Sequence, residues 1–125
     1  SPEDRIPIKL VIAQAIHESD WGKSRFAVEG NNLFGIRALE GEDYIESYYG
    51  KKVKSYYTRC ESVEDYIHLL SFGKPYEEFK SKLIEQWVLD RVDVYVILGY
   101  LYNYAEDENY EEKIKKILQQ LEREM

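Results

Sequence analysis

The sequence predicts an α+β fold, predominantly helical, with one small β-hairpin lobe, and three stretches predict it. Within residues 8–20, seven apolar positions from Ile8 to Ile16 cover most of a helix circumference. Residues 43–58 change to a period of two around Gly50. From Ser62 to Leu121 the apolar positions return to helical spacing. A length of 125 residues suits one domain, 1–125, with the β-lobe at about 41–59.

The elements follow in chain order. Pro7 is placed in the first turn of a helix, where its missing N–H is harmless. Ile8, Leu10, Val11, Ile12, Ala13, Ala15 and Ile16 then cover most of the helix circumference, so this helix belongs inside the protein. Gly22 is expected to supply its left-handed cap. Ser24 reads as the N-cap of a short helical turn. Gly30, Asn31, Asn32 and Gly35 are loop chemistry, and Leu33, Phe34 and Ile36 turn that loop inward. In the hairpin Tyr44, Glu46 and Tyr48 alternate with Ile45, Ser47 and Tyr49; Val53, Ser55 and Tyr57 continue the period after the turn. Ser62 is read as the cap of a helix running to Ser71. Helices are expected at 76–89 and 92–102, and Tyr110, Ile114, Ile117, Leu118 and Leu121 give the last one an apolar face.

Composition excludes several classes. Lys and Arg number 17 against 24 Asp and Glu, a net charge of −7, and no basic cluster stands out, so nucleic acid is not the expected partner. Cys60 is the only cysteine, which rules out an internal disulfide and a cysteine-built zinc site. His17-Glu18 begins like a zinc-protease helix, but Trp21 stands where the second histidine belongs; His17 and His68 have no ligand spacing, and no metal or other cofactor is expected. No apolar run reaches membrane-spanning length, and the chain shows no signal peptide.

Glu18 carries the chemistry. On the helical wheel it lies beside Val11 at the edge of the apolar arc, with Gln14 one turn earlier, so its head is expected to be half-buried. The helix ends within a turn, and its last carbonyls point partial negative charge toward the group. Both effects favour the protonated form, and a carboxyl that keeps its proton near neutral pH is a general acid. The plainer reading is a solvated residue or half of a salt bridge.

The stretch IAQAIHESDWGKSRFAVEGNNLFGI, residues 12–36, resembles the signature of the bacterial cell-wall glucosaminidases, family 73 of the glycoside hydrolases. ESYYGKKV and SYYTRCESVEDYIHLL resemble that family's hairpin lobe and following helix, and YAEDENYEEKI resembles its YATDP-x-Y-x-x-KI ending. The resemblance implies a lysozyme-like fold with the β-lobe across a substrate cleft. It implies hydrolysis of the β-1,4 glycan of peptidoglycan after N-acetylglucosamine, an endo-β-N-acetylglucosaminidase activity. Glu18 matches the catalytic acid, Glu46 best matches the second carboxylate on the lobe, and Glu40, Glu42 and Asp43 compete with it. Tyr104 matches the tyrosine of YATD, with Tyr102 and Tyr110 as neighbours. Either Glu46 activates water or the sugar's own N-acetyl oxygen attacks, with Tyr104 orienting it.

Trp21, Asn32, Phe34, Tyr44, Tyr48, Tyr102 and Tyr110 are the candidate substrate contacts, since aromatic faces pack on sugar C–H faces. For Asn32 the competing role is to hold the loop shape, and for Phe34 it is the core. Peptidoglycan strands or chito-oligosaccharides are the expected partners of a monomer working in the periplasm, at the cell wall or outside the cell. The rivals are a lytic transglycosylase or muramidase on the same polymer, and a glycan-binding module without turnover. NNLFGI stands where transglycosylases carry a GLMQ-like segment.

Overall fold

The computed structural model describes residues 6–124. The chain forms two compact units, one of residues 14–66 and one of the residues up to Ala13 together with those from Ile67 onward. Helix α1 (Ile8–Ser19) and helix α3 (Arg59–Phe72) each contribute to both.

The unit of residues 14–66 holds the end of α1, the short helix α2 (Arg25–Gly30), strands β1 (Tyr44–Glu46) and β2 (Lys52–Lys54), and the first half of α3. Its α1 segment ends in a run of left-handed residues, Asp20 (φ 50°), Trp21 (φ 59°) and Gly22 (φ 78°). The cap therefore begins two residues before Gly22, the residue that sequence chemistry singles out. Three bonds lock it. Trp21 N–H donates to Ile16 O at 3.0 Å, Ser24 N–H to Ser19 O at 2.9 Å, and Gly22 N–H to the Ser19 hydroxyl at 2.8 Å. Ser24 caps α2 as expected, its hydroxyl accepting from Ala27 N–H at 3.2 Å, and left-handed Asn31 (φ 54°) closes that helix.

The hairpin is antiparallel in the register Tyr44↔Lys54, Ile45↔Val53, Glu46↔Lys52. Ser47 builds its turn by accepting the N–H groups of Tyr49 and Lys51. The strands are shorter than the alternation suggests. Past Lys54 one more cross-strand bond forms, from Ser55 N–H to Asp43 O at 3.0 Å, and then Tyr56 N–H donates instead to Gly30 O at the end of α2. The loop segment Ile36–Ala38 takes β2's other edge through an Arg37↔Val53 bridge. Thr58, not Ser62, caps α3: its hydroxyl accepts from Glu61 N–H at 3.2 Å and donates to the Glu61 carboxylate at 3.2 Å. Ser62 is buried inside the helix and donates back to Arg59 O. The core of this unit gathers Ala27, Phe34, Val53 and Tyr66 around two polar side chains, Gln14 and Asn32.

The other unit is helical. It contains the start of α1, the end of α3, a 3₁₀ turn at Lys74–Tyr76, and helices α4 (Glu77–Val88), α5 (Val94–Leu98) and α6 (Tyr110–Glu124). Pro7 precedes α1 and offers its carbonyl to the N–H groups of Leu10 and Val11. Helix α5 begins at Val94 and not at Val92, because the Asp93 carboxylate caps it by accepting from Tyr95 and Val96 N–H; its last turn tightens to 3₁₀ over Gly99–Leu101. Leu10, Leu70, Phe79, Leu83, Ile97, Leu101, Ile114 and Leu118 fill the core. Each such side chain contributes about 1.5–3 kcal/mol on burial. Among the described residues no helix is long and apolar enough to cross a membrane.

Candidate active site

Glu18 occupies the last turn of α1 and is half-buried, as its position on the wheel requires. Its carboxylate lies against the backbone of Gly35. A Cβ placed on Gly35 would stand 2.8 Å from Glu18 Oε2 and 3.6 Å from its Cδ. The NNLFGI loop is thus the wall on which the acid rests.

That loop is built around Asn32, which is 2% exposed. Its Oδ1 accepts the N–H groups of Phe34 (3.1 Å), Gly35 (2.9 Å) and Ile36 (3.3 Å). Its Nδ2 donates to Ile36 O (2.9 Å) and Lys54 O (2.8 Å). Beneath it Phe34 stacks on Tyr66 with ring centroids 4.0 Å apart and planes at 17°. The Tyr66 hydroxyl donates to Gln14 Oε1, one turn before Glu18 on α1. Asn32 and Phe34 are thus buried in the framework of the loop. Asn31 fixes the loop's start by donating to the carbonyls of Tyr56 and Tyr57.

Among the lobe carboxylates, Glu46 is exposed on β1 across from Lys52. Its backbone carbonyl accepts a hydrogen bond from Arg25, whose guanidinium also lies 5.1 Å from the Phe26 ring and 5.7 Å from the Tyr48 ring. Glu42 is already engaged: it pairs with Lys54 at 2.7 Å and accepts from Leu39 N–H at 2.7 Å. Glu40 and Asp43 are exposed. Trp21 (53% exposed), Tyr44 and Tyr48 (97% exposed) offer aromatic surface to solvent, and Lys52 Nζ sits 4.8 Å from the Tyr44 ring. Tyr48 lies in the turn beyond β1, not on the strand face shared by Tyr44 and Glu46.

Lys54 anchors a half-exposed network in which it pairs with Glu42 and, at 3.1 Å, with Asp65; the Tyr56 hydroxyl donates to the same Asp65 at 2.6 Å. The hydrogen bond from Lys54, followed by that from Leu39, holds the Glu42 carboxyl below its usual range. Burial alone would lower the Lys54 ammonium, but its bonds to Glu42 and Asp65 outweigh it and raise the group. Burial first, then the Asp65 hydrogen bond, pushes the Tyr56 phenol up. Because the Glu42 pKa is depressed on folding, its contribution is complete above the ordinary value of 4.5 and is lost as pH falls through the lower folded value. The expected result is a melting temperature that drops on acidification below about pH 4.5, and less steeply in Lys54→Met. Thermal scans from about pH 6 to pH 3 check this. The effect is small, about 1 kcal/mol or less per pair, because solvent screens the network.

The remaining tyrosines belong to the helical unit. Tyr104 stacks on Tyr110 (5.7 Å, 17°) and tilts against Tyr76 (6.0 Å, 44°). Tyr110 is 5% exposed at the start of α6, so it is a core position, as its place on the apolar face requires. Tyr102 is exposed and donates to Glu78 at 2.9 Å, and that bond and charge raise its phenol. Tyr102 and Tyr110 line a cavity of about 310 Å³ with Leu98 and Leu101, rimmed by Glu106, Glu108 and Glu111. No group of three metal-ligating side chains occurs among the described residues.

Residues 2–123 match the glucosaminidase family, described as mannosyl-glycoprotein endo-beta-N-acetylglucosaminidase. The exo-glucosaminidase LytG of Bacillus subtilis is 33% identical over 123 residues, covering 88% of this chain and 42% of that protein. The glycoside hydrolase domain of Salmonella typhimurium FlgJ superposes with a TM-score of 0.67 at 25% identity, over 98% of this chain and 82% of that one. The catalytic domain of the autolysin Auto from Listeria monocytogenes gives 0.65 at 25% identity, over 90% and 70%. The chain spans less than half the length of the curated relatives it matches.

Proposed function

The chain belongs to the glucosaminidase family, and from that premise we propose that it hydrolyses the β-1,4 glycan of peptidoglycan after N-acetylglucosamine, with Glu18 as the general acid. The observation that carries the reading is the Glu18 carboxylate at the end of α1, half-buried against the Cα of Gly35. A carboxyl on a rigid helix, walled on one side by backbone, is positioned to donate its proton to a leaving glycosidic oxygen.

Cleavage leaves an oxocarbenium-like centre that a second group must quench. Glu46 is favoured over Glu42 for activating water. Glu42 is spent on Lys54 and Leu39, whereas Glu46 is exposed and its backbone is held by Arg25. The other route is attack by the sugar's N-acetyl oxygen with Tyr104 orienting it; the part of Tyr104 rests on the sequence match alone. Trp21, Tyr44 and Tyr48 are the proposed sugar-stacking surfaces, and their exposure supports that use. The exposed Tyr102 is proposed as a further contact. A protein with this substrate acts outside the cytoplasmic membrane, and a monomer suffices.

Mass spectrometry of products from purified sacculi tests the reading. Reducing N-acetylglucosamine ends in a ladder of fragment lengths are expected. Release of single terminal sugars only would make the enzyme exo-acting. Anhydro-muramic ends would make it a transglycosylase, reducing muramic acid ends a muramidase, and binding without release a glycan-binding module.

A further inference from the structure

Asn32 and Gly35 share one task. Gly35 is left-handed (φ +70°), a conformation glycine adopts without penalty. Its missing Cβ leaves the space that Glu18 Oε2 occupies, since a methyl there would approach that oxygen to 2.8 Å. Gly35 does not hold this position unaided. The Asn32 carboxamide takes up the N–H groups of residues 34, 35 and 36 and pins the loop to the Lys54 carbonyl of β2. Both Asn32 donors are spent on backbone carbonyls.

We propose that Gly35 is a positioning residue for the Glu18 carboxyl, held in place by Asn32, so that the spacing of Asn32 and Gly35 in NNLFGI sets where the acid points. The proposal rests on the reading of Glu18 as the acid. Its energetic logic is specific. The atom a Cβ would strike is the far end of a flexible side chain, which swings aside at little cost to the fold. The cost falls on catalysis, because displacing a reacting group by about 1 Å lowers a rate by about 100-fold.

Gly35→Ala is expected to lower kcat by about 100-fold with KM within about threefold. Gly41→Ala is the matched control: Gly41 is also left-handed (φ +88°), but a Cβ there meets nothing within 4 Å. It should lose comparable stability and keep kcat within about twofold. Glu18→Asp draws the carboxyl back from an added methyl. The Glu18→Asp/Gly35→Ala double variant should therefore lose less than the product of the two single losses. Asn32→Asp keeps the accepting oxygen, removes both donations, and should lower kcat with KM held. In the unmodified protein the Gly35 Cα resonance should titrate together with the Glu18 carboxyl carbon, and this measurement decides the matter even if Gly35→Ala fails to fold. The proposal is overturned if Gly35→Ala matches Gly41→Ala in kcat, if the two substitutions multiply independently, or if the Gly35 resonance is silent. Near-full activity of Glu18→Gln would instead remove Glu18 from the acid role, whatever Gly35 does.

Discussion

Glu18→Gln is expected to lower glycan release from sacculi by about 1,000-fold, within the range of general-acid contributions, while the melting temperature stays within a few degrees. The amide has the size and shape of the carboxyl, so it can lie against the Gly35 backbone as the acid does. What it lacks is a proton it can surrender to a leaving oxygen. KM should change little, because the loss falls on the transition state and not on ground-state binding. Steady-state assays with reducing-end detection, alongside thermal scans, separate the two effects. Loss of the fold together with the activity would mean that the group is structural; near-full activity would mean that it is not the acid.

Phe34→Ala carries the largest expected loss of stability. Phe34 is 1% exposed and stacked on Tyr66, and Tyr66 in turn holds Gln14 on α1. Truncation removes the ring and leaves a cavity in the middle of the 14–66 unit, at a cost of about 3–5 kcal/mol. Against a total stability of about 5–15 kcal/mol this is a large fraction, and the melting temperature should fall by roughly 10–20 °C. Activity should fall with it even at temperatures where the chain remains folded, because Phe34 lies between Asn32 and Gly35 in the loop that seats Glu18. Tyr48→Ala is the comparison: with its ring almost wholly in solvent, it should leave stability within about 0.5 kcal/mol. A drop of less than about 3 °C for Phe34→Ala would show that the stack on Tyr66 does not support the loop.

The parts of this structure legible in the sequence are those written in local chemistry. The helix α1, the Gly50 turn, the Ser24 cap and the apolar face of α6 are present as predicted, but α1 is buried on one face only: Leu10 and Ala13 are inside, while Ile8 and Ile12 are exposed. The half-burial of Glu18 follows from its place on the wheel alone. Other features escape the sequence either because local signals compete or because residues distant in the chain meet. Asp20 and Trp21 are left-handed although neither is glycine, and hydrogen bonds back to Ile16 and Ser19 in the last turn of α1 hold the turn. Thr58 and Glu61 spell a capping box, but Ser62 one residue later offers a competing signal. The network of Lys54 with Glu42 and Asp65 joins residues far apart in the chain through the hairpin register. For Asn32 loop-building is the competing assignment, and its buried, fully engaged amide favours it over substrate contact. Tyr110 fits two assignments in the sequence, core face of α6 and substrate contact, and its burial favours the first.

The most direct measurement is a crystal structure of the Glu18→Gln protein with a chito-oligosaccharide long enough to span the cleaved bond. The residue 18 amide is expected within about 2.6–3.2 Å of a glycosidic oxygen, with the Gly35 backbone behind it and an exposed tyrosine or Trp21 against a sugar face. An oligosaccharide seated away from α1, with residue 18 facing only water, would contradict it.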